Sequence, residues 1–261
     1  IYKFSSDNSD EIKKESMMKC VLEGPQLAVS DTELVLSTNT TSPWLVMDIR
    51  SGQVVAREHP GLNDSPATTC GETVSPVYVE SRLVAFCHQS TGRVQLHDRR
   101  DPKLLNCIDV SVNEDSLWSF TSLHECSEQS SGTDTPVCLG MVSNNGTLNV
   151  YDSRNWTTPC VSESLDLTSP LSSPPQLRFK PSDQSWVSVS GIDAKVYVYQ
   201  LTAQPELVFV HKGHRYVEGF RQQTITTSHS WFPTIDNLII SSAENGTIQA
   251  WQFEDTRESK S

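Results

Sequence analysis

The sequence predicts an all-β fold of the β-propeller type, and two observations support this prediction. Short apolar segments are separated by tight turns, and no long amphipathic helical pattern interrupts them. These segments occur in pairs, and the second segment of each pair ends in a bulky residue followed by a polar one. The polar residues are Asp48, Asp98, Asp152, Gln200 and Gln252, which are 50, 54, 48 and 52 positions apart. A repeat of this length made of short strands is typical of a propeller, in which each repeat forms one four-stranded blade.

Each repeat contains one predicted hairpin. Alternating apolar and polar residues mark its strands, and in all but the first hairpin the turn contains a glycine, which has access to positive φ. We predict that the paired segments are neighbouring antiparallel strands of successive blades, and that helix content is close to nil. The segments, in chain order, are 83–98, 137–152, 186–200 and 238–252, and 33–48 is a looser copy of the same unit.

The net charge and the spacing of the cysteines argue against a nucleic-acid-binding, lipid-binding or zinc-binding protein. The chain has 20 Lys and Arg against 32 Asp and Glu, a net charge of −12, which disfavours binding to nucleic acid or to anionic lipid. No apolar run is long enough to cross a membrane. The seven cysteines include no Cys-x-x-Cys pair, which argues against a structural zinc site and favours free thiols in a reducing compartment.

The sequence offers no pattern that indicates catalysis. It contains no Gly-x-Ser-x-Gly nucleophile motif, no phosphate-binding glycine loop and no His-Glu-x-x-His zinc motif. We therefore predict a protein that is not an enzyme, with no catalytic, metal-binding or cofactor-binding residues and no cofactor.

The last repeat carries the residues of a known signature. They are Gly213-His214, Ser241-Ser242, Asn245-Gly246 and Trp251-Gln252. This pattern resembles the WD-repeat family, in which a His, a strand Ser or Thr, a turn Asp and a Trp form a hydrogen-bonded chain that pins each blade. The resemblance implies this role for His214, Ser241 or Ser242, Asn245 and Trp251, with Asn245 in place of the turn Asp. It also implies that Trp251 is buried beside His214 and the serines.

The two ends of the chain predict an incomplete ring. We interpret 1–4 as the end of a third strand and 12–22 as containing the fourth strand of the same blade. With the later repeats this gives twenty-one strands, in about five full or nearly full blades plus the outer strands of one more, fewer than a seven-bladed ring needs. The expectation is one propeller domain over 1–261, truncated at its N-terminus, with a polar tail at 254–261 and exposed edges beside 1–4 and 247–253. Pairing of these two segments would instead indicate a smaller closed propeller.

Several segments are similar to one group within the WD-repeat family. They are 83–87, 151–154, 188–193, 209–214 and 226–233. The resemblance implies a non-enzymatic scaffold that helps to assemble the RNA-endonuclease module of the Integrator complex and is linked to microtubule and spindle organisation. The implied partners are Integrator endonuclease subunits, tubulin and spindle proteins. The implied protein is a cytoplasmic monomer, found at the spindle pole and cleavage furrow in mitosis.

A second motif leaves an alternative function open. Three of the repeats end a strand with Asp-x-Arg, and the version with a preceding aromatic residue is Tyr151-Asp152-Ser153-Arg154. This tetrapeptide resembles the adaptor contact of WD propellers that deliver substrates to cullin-RING ubiquitin ligases. The alternative is thus a substrate receptor that uses Tyr151, Asp152 and Arg154, whereas a local Asp–Arg pair at a strand end would explain the same residues without a partner.

Overall fold

The structure is a computed structural model of the 261-residue chain, and it describes residues in fifteen segments. Those segments contain 21 β-strands and no helix. The described residues are 2–4, 12–14, 26–29, 33–37, 44–49, 51, 53–57, 74–80, 82–98, 101–110, 116–122, 137–165, 171–202, 205–214 and 224–255.

The strands of the first half form three antiparallel sheets, of two, four and four strands. Within each sheet, consecutive strands in the chain are neighbours. The first sheet is β1 (Tyr2–Phe4) and β2 (Ile12–Lys14). The second is β3 (Gln26–Val29), β4 (Glu33–Ser37), β5 (Trp44–Asp48) and β6 (Val54–Arg57). The third is β7 (Val74–Glu80), β8 (Leu83–His88), β9 (Val94–Asp98) and β10 (Asp101–Ile108).

The strands of the second half form two four-stranded sheets and a final three-stranded sheet of the same kind. The fourth sheet is β11 (Trp118–Ser122), β12 (Cys138–Ser143), β13 (Thr147–Asp152) and β14 (Val161–Ser164). The fifth is β15 (Gln176–Lys180), β16 (Asp183–Ser190), β17 (Val196–Gln200) and β18 (Glu206–His211). The sixth, called the last sheet below, is β19 (Thr226–Trp231), β20 (Leu238–Ala243) and β21 (Ile248–Gln252).

The predicted hairpins and their repeat are confirmed by the strand register. The repeating polar residue at the end of each hairpin lies opposite the first residue of the preceding strand, or opposite the fourth residue in the case of β16. The pairs are Glu33 with Asp48, Leu83 with Asp98, Cys138 with Asp152, Trp186 with Gln200 and Leu238 with Gln252. The chain therefore has the all-β, WD-type propeller fold, with one hairpin of the predicted type in each of five sheets.

The hairpin turns use glycine as expected, and one of these glycines also serves packing between sheets. Gly92, Gly146, Gly191 and Gly246 have φ of 68°, 88°, 91° and 80°. A Cβ on Gly92 would lie 2.8 Å from Nε1 of Trp118, which belongs to the next sheet. The turn between β8 and β9 is thus held against the buried indole of Trp118, and any side chain at position 92 would separate the two.

The core lies between successive sheets. The first strands of the sheets contact one another in order, β3 with β7, β7 with β11, β11 with β15 and β15 with β19, as the innermost strands of a propeller do. Each pair of facing sheets encloses an apolar cluster, for example Leu148 and Val150 of β13 against Leu177 and Phe179 of β15. Burial between blades, at about 25 cal/mol per Å² of apolar surface, is the main source of stability in such a layout.

The first and last strands decide whether the sheets close into a smaller ring. The segments 1–4 and 12–22 do contain strands, and β1 pairs with β2 in antiparallel register, Phe4 opposite Ile12. Among the described strands, β1 pairs with β2 alone and β21 with β20 alone, so the smaller closed ring with 1–4 against 247–253 is absent. Of the tail at 254–261, Glu254 and Asp255 are described and lie beyond β21, whereas 256–261 falls outside the described residues.

Candidate functional site

The signature residues of the last sheet lie in one hydrogen-bonded chain. The indole Nε1 of Trp251 donates to Oγ of Ser241 at 3.0 Å, and this hydroxyl lies 2.7 Å from Nε2 of His214. On the other side of the ring, Nδ1 of His214 lies 2.9 Å from Oγ1 of Thr247, which in turn donates to Oδ1 of Asn245 at 2.7 Å. The donors run consistently from Trp251 to Asn245 if His214 is neutral and carries its proton on Nδ1.

Two of the predicted members take different places in this chain. Ser242 stays outside it, because its hydroxyl points to the other face of the strand and lies 3.3 Å from Oγ1 of Thr227. Asn245 reaches His214 only through Thr247, a link that sequence reasoning missed. The hydroxyl of Thr247 lies between the two side chains, and the Asn245 carbonyl also accepts from the Thr247 backbone N–H at 3.0 Å.

Trp251 is half-buried, whereas the resemblance implied a buried side chain. One face of its indole stacks on the imidazole of His211, with ring centroids 4.2 Å apart and planes 5° from parallel. The phenyl ring of Phe209 stacks nearby at 5.6 Å. Both residues belong to β18 of the fifth sheet, so Trp251 joins the last sheet to its neighbour.

A second buried histidine bridges the same two sheets. His229 of β19 is 3 % exposed, and its two ring nitrogens each lie 2.7 Å from a serine hydroxyl of β16, Nε2 from Ser188 and Nδ1 from Ser190. Burial, together with the positive charge of Arg178, lowers the pKa of His229 to about 3. Burial also lowers the pKa of His214, with a smaller effect from His211. Both rings are therefore neutral at pH 7.

The Asp-x-Arg motif forms a local ion pair. The guanidinium of Arg154 donates from Nε to both carboxylate oxygens of Asp152, each at 3.0 Å, and from Nη2 to Oδ2. These hydrogen bonds lower the pKa of Asp152. The aromatic residue before the pair, Tyr151, is 4 % exposed and packs in the core between the third and fourth sheets. Of the three motif residues, only Arg154 offers most of its side chain to a partner, at 72 % exposure.

The equivalent position in the second sheet has a different environment. The carboxylate of Asp48 accepts hydrogen bonds from the backbone N–H and the hydroxyl of Ser51, at 2.6 and 2.7 Å. Arg50, Arg99 and Arg100 fall outside the described residues. The Asp–Arg geometry is therefore seen at Asp152 and Arg154 and serves to fix a strand end there.

The cysteines of the described residues are poorly suited to nucleophilic chemistry. Burial raises the pKa of the thiols of Cys87, Cys107, Cys138 and Cys160, that of Cys138 to about 11, so these cysteines are poor nucleophiles at pH 7. Within the described ranges, no three His, Cys, Asp or Glu side chains are placed to hold one metal ion. The same ranges contain no helix of the length and apolarity needed to span a membrane.

The chain is similar in sequence to curated proteins that share one name. No family model matches the chain. Three curated relatives are each named Integrator complex assembly factor WDR73. The mouse (Mus musculus) protein is 26% identical over 212 residues, 76% of this chain and 54% of the relative. The Danio rerio protein is 24% identical over 275 residues, 98% of this chain and 69% of the relative. The human (Homo sapiens) protein is 25% identical over 227 residues, 79% of this chain and 58% of the relative.

The chain thus spans between about half and two thirds of the length of these relatives. A chain from a solved structure, "Crystal Structure of Mitotic Checkpoint Complex", superposes with a TM-score of 0.58 at 14% identity, covering 87% of this chain and 62% of the other. This likeness supports the fold alone. Together with the repeat register and the hydrogen-bonded chain of the last sheet, the comparisons fit a WD-repeat protein related to WDR73.

Proposed function

We propose that this chain is a non-enzymatic scaffold that assists assembly of the RNA-endonuclease module of the Integrator complex. The observation that carries the proposal is the shared name of its relatives, Integrator complex assembly factor, over alignments that cover 76–98% of this chain. A propeller suits such a role, since its packed sheets form a rigid frame and its loops present a broad surface to partners.

The charge of the chain supports a partner of opposite charge. A net charge of −12 disfavours direct contact with RNA and favours a basic protein surface. The RNA-binding surface of a nuclease is basic, so an acidic propeller that covers it would hold the subunits together and suppress premature cleavage without any chemistry of its own.

The cytoplasm is the proposed place of action. Cys87, Cys107, Cys138 and Cys160 are free thiols in the structure, which supports a reducing compartment. The link to microtubules and the spindle belongs to the same proposal as a second role, and it rests on resemblance alone.

Affinity purification with quantitative mass spectrometry tests the proposal. The tagged chain is expressed in interphase and in mitotic cells, with another tagged acidic propeller as the control for non-specific capture. We expect enrichment of Integrator endonuclease subunits over that control in interphase cells. Recovery of tubulin and spindle proteins without Integrator subunits would contradict the assembly role.

The same experiment decides the ubiquitin-ligase alternative. A substrate receptor would recover a cullin adaptor, and the substitution Arg154→Ala would abolish that recovery because Arg154 is the exposed member of the motif. We expect no adaptor in either sample, since the Arg154 guanidinium is already paired with Asp152.

A further inference from the structure

A surface pocket lies at one rim of the fifth and last sheets. It is formed by the loop between β19 and β20, residues 232–237, and by the turn between β15 and β16 at Pro181 and Ser182, with Trp231 as its inner wall. Its volume is about 150 Å³, enough for one large side chain. We call it the rim pocket.

The loop of the rim pocket is held in one conformation by a buried lysine. Lys180 is 8 % exposed, and its Nζ lies 2.8 Å from both Oδ1 of Asn237 and Oδ1 of Asp236. The hydroxyl of Ser182 donates to the same oxygen of Asp236 at 3.4 Å. Asn237 has φ of 55°, the one positive φ outside glycine among the described residues. A strained residue persists only where its surroundings fix it, and such residues concentrate at functional sites.

The fixed loop presents apolar side chains to solvent. Phe232 is 38 % exposed and Ile235 is 46 % exposed, and Pro233 between them is exposed as well. These side chains do not fill the core, because Trp231 and Phe253 already close it beneath the loop. An exposed apolar cluster beside a pocket is typical of a protein-docking site, where a partner's large side chain is the anchor.

One carboxylate, that of Asp236, lines the rim pocket, and two more lie next in the chain to residues that contact its loop. Asp236 is exposed over 67 % of its side chain, and the ion pair with Lys180 lowers its pKa, so that it is ionised at pH 7. Asp183 is exposed and follows Ser182, which contacts Asp236. Glu254 is exposed and follows Phe253, whose N–H donates to the carbonyl of Asn237 at 3.4 Å. Three carboxylates against one buried, paired lysine leave the rim acidic.

We propose that the rim pocket binds a protein segment in which a large apolar side chain is flanked by lysine or arginine. The apolar side chain packs between Phe232, Pro233 and Ile235, and the basic residues face Asp183, Asp236 and Glu254. Because the loop is already fixed, little ordering is needed on binding. This inference names a docking site and a partner chemistry for the proposed scaffold, and it rests on that proposal.

Selection from a displayed library of random 12-residue peptides tests the inference. Purified protein is panned at near-physiological salt, and recovered peptides are assayed by fluorescence anisotropy. We expect them to share an apolar residue flanked by Lys or Arg, and to bind the double variant Phe232→Ser, Ile235→Ser at least tenfold more weakly. Leu105→Ser is the matched control, since Leu105 is 58 % exposed on β10 of the third sheet, and this variant should bind the peptides as the parent does.

A charge-altered variant separates docking from an effect on folding. Asp183→Asn removes one negative charge but keeps the side-chain oxygen that accepts from the Ser185 N–H. Combined with Glu254→Lys it leaves the apolar side chains and the Lys180 contacts in place, and we expect the binding of basic peptides to weaken at least fivefold at an unchanged melting temperature. No enrichment in the panning, enrichment of acidic or neutral peptides, or equal binding to the Phe232 and Ile235 double variant would each overturn the inference.

The two proposals can fail separately. If the parent chain recovers Integrator subunits from cells and the Phe232 and Ile235 double variant recovers them equally, the rim pocket is not the docking site, while the scaffold role stands. If peptides bind as expected but no Integrator subunits are recovered, the assembly role fails. The rim pocket would still be a docking site for an apolar side chain flanked by basic residues.

Discussion

Two buried histidines perform the same task at neighbouring places. His214 and His229 each lie between two hydroxyl groups, and burial lowers the pKa of both rings. A neutral imidazole has one donor and one acceptor, so it joins two hydroxyls without a buried charge. Protonation would place an unpaired charge between packed sheets, which is costly in a medium of low polarity.

Substitution of Trp251 separates its hydrogen bond from its stacking. Truncation of a fully buried aromatic residue costs about 3–5 kcal/mol, and since Trp251 is half-buried we expect about 2–3 kcal/mol for Trp251→Ala. Trp251→Phe keeps the contact with His211 but loses the bond to Ser241, and we expect about 1 kcal/mol. Urea unfolding measures both, with Glu244→Ala, at an exposed residue of the turn between β20 and β21, as the control. If Trp251→Ala were as stable as the parent, the hydrogen-bonded chain of the WD-type signature would not stabilise the last sheet.

His229 predicts how stability depends on pH. In the unfolded chain this ring takes up a proton below its ordinary pKa of about 6.5, whereas in the folded chain it stays neutral to about pH 3. The unfolded state therefore binds more protons between these values, and stability, complete above pH 6.5, falls as the pH drops. At about 1.4 kcal/mol per pH unit, the loss by pH 5 is on the order of 2 kcal/mol.

The variant His229→Gln tests this origin of the pH dependence. Glutamine has no proton to gain in this range, so we expect the decrease in unfolding free energy between pH 7.5 and pH 5 to shrink by about 2 kcal/mol. Thr227→Ala, an exposed position on the same strand, should keep the parent's pH dependence. If the unfolding free energy of His229→Gln depended on pH as that of the parent does, His229 would not be the source of the pH dependence.

At the scale of the strand pair, substitutions at two turn glycines separate the cost of backbone strain from the cost of disturbed packing between sheets. Gly92 and Gly246 both have positive φ, but a Cβ on Gly92 would lie 2.8 Å from Trp118, whereas a Cβ on Gly246 would meet nothing within 4 Å. We expect Gly246→Ala to cost about 1–2 kcal/mol from backbone strain alone, and Gly92→Ala to cost about 1–3 kcal/mol more. Denaturant unfolding measures the difference, and equal losses would contradict the close approach of Trp118.

The hairpins could be predicted from sequence because the forces that form them are local. The turn residues Asn145 and Gly146 and the alternation on either side are all within a few positions of one another, and the observed register follows from them. The contacts of His229 could not be predicted in this way, since Ser188 lies 41 residues away on another sheet. The link through Thr247 was missed for a different reason, because a side chain two positions from Asn245 replaced the expected direct contact.

At the scale of the whole molecule, the last sheet differs from the described four-stranded sheets in the burial of its third strand. The residues of the third strand that face the next sheet are 0–1 % exposed in the four-stranded sheets, at Val46, Val94, Leu96, Leu148, Val150, Val196 and Val198. In the last sheet the corresponding residues are Ile248, which is 74 % exposed, and Ala250, which is also exposed. Ile240 beside them on β20 is 39 % exposed. This face has the composition of a buried face, and among the described sheets none covers it.

Self-association through this face is the expected consequence for the purified chain. The segment Ile248–Gln252 contains neither charge nor proline, and one of its edges is not paired by any described strand, so it lacks the features that keep edge strands apart. We expect the average mass in sedimentation experiments to rise above that of one chain as concentration increases into the tens of micromolar.

Ile240→Lys with Ile248→Lys should restore the single-chain mass, because two added positive charges on each copy would have to be desolvated at the contact. Leu105→Lys, at a residue 58 % exposed on β10, is the matched control and should associate as the parent does. A single-chain mass for the parent at every concentration, or equal association of the double lysine variant, would show that the exposed face of the last sheet does not pair with a second copy.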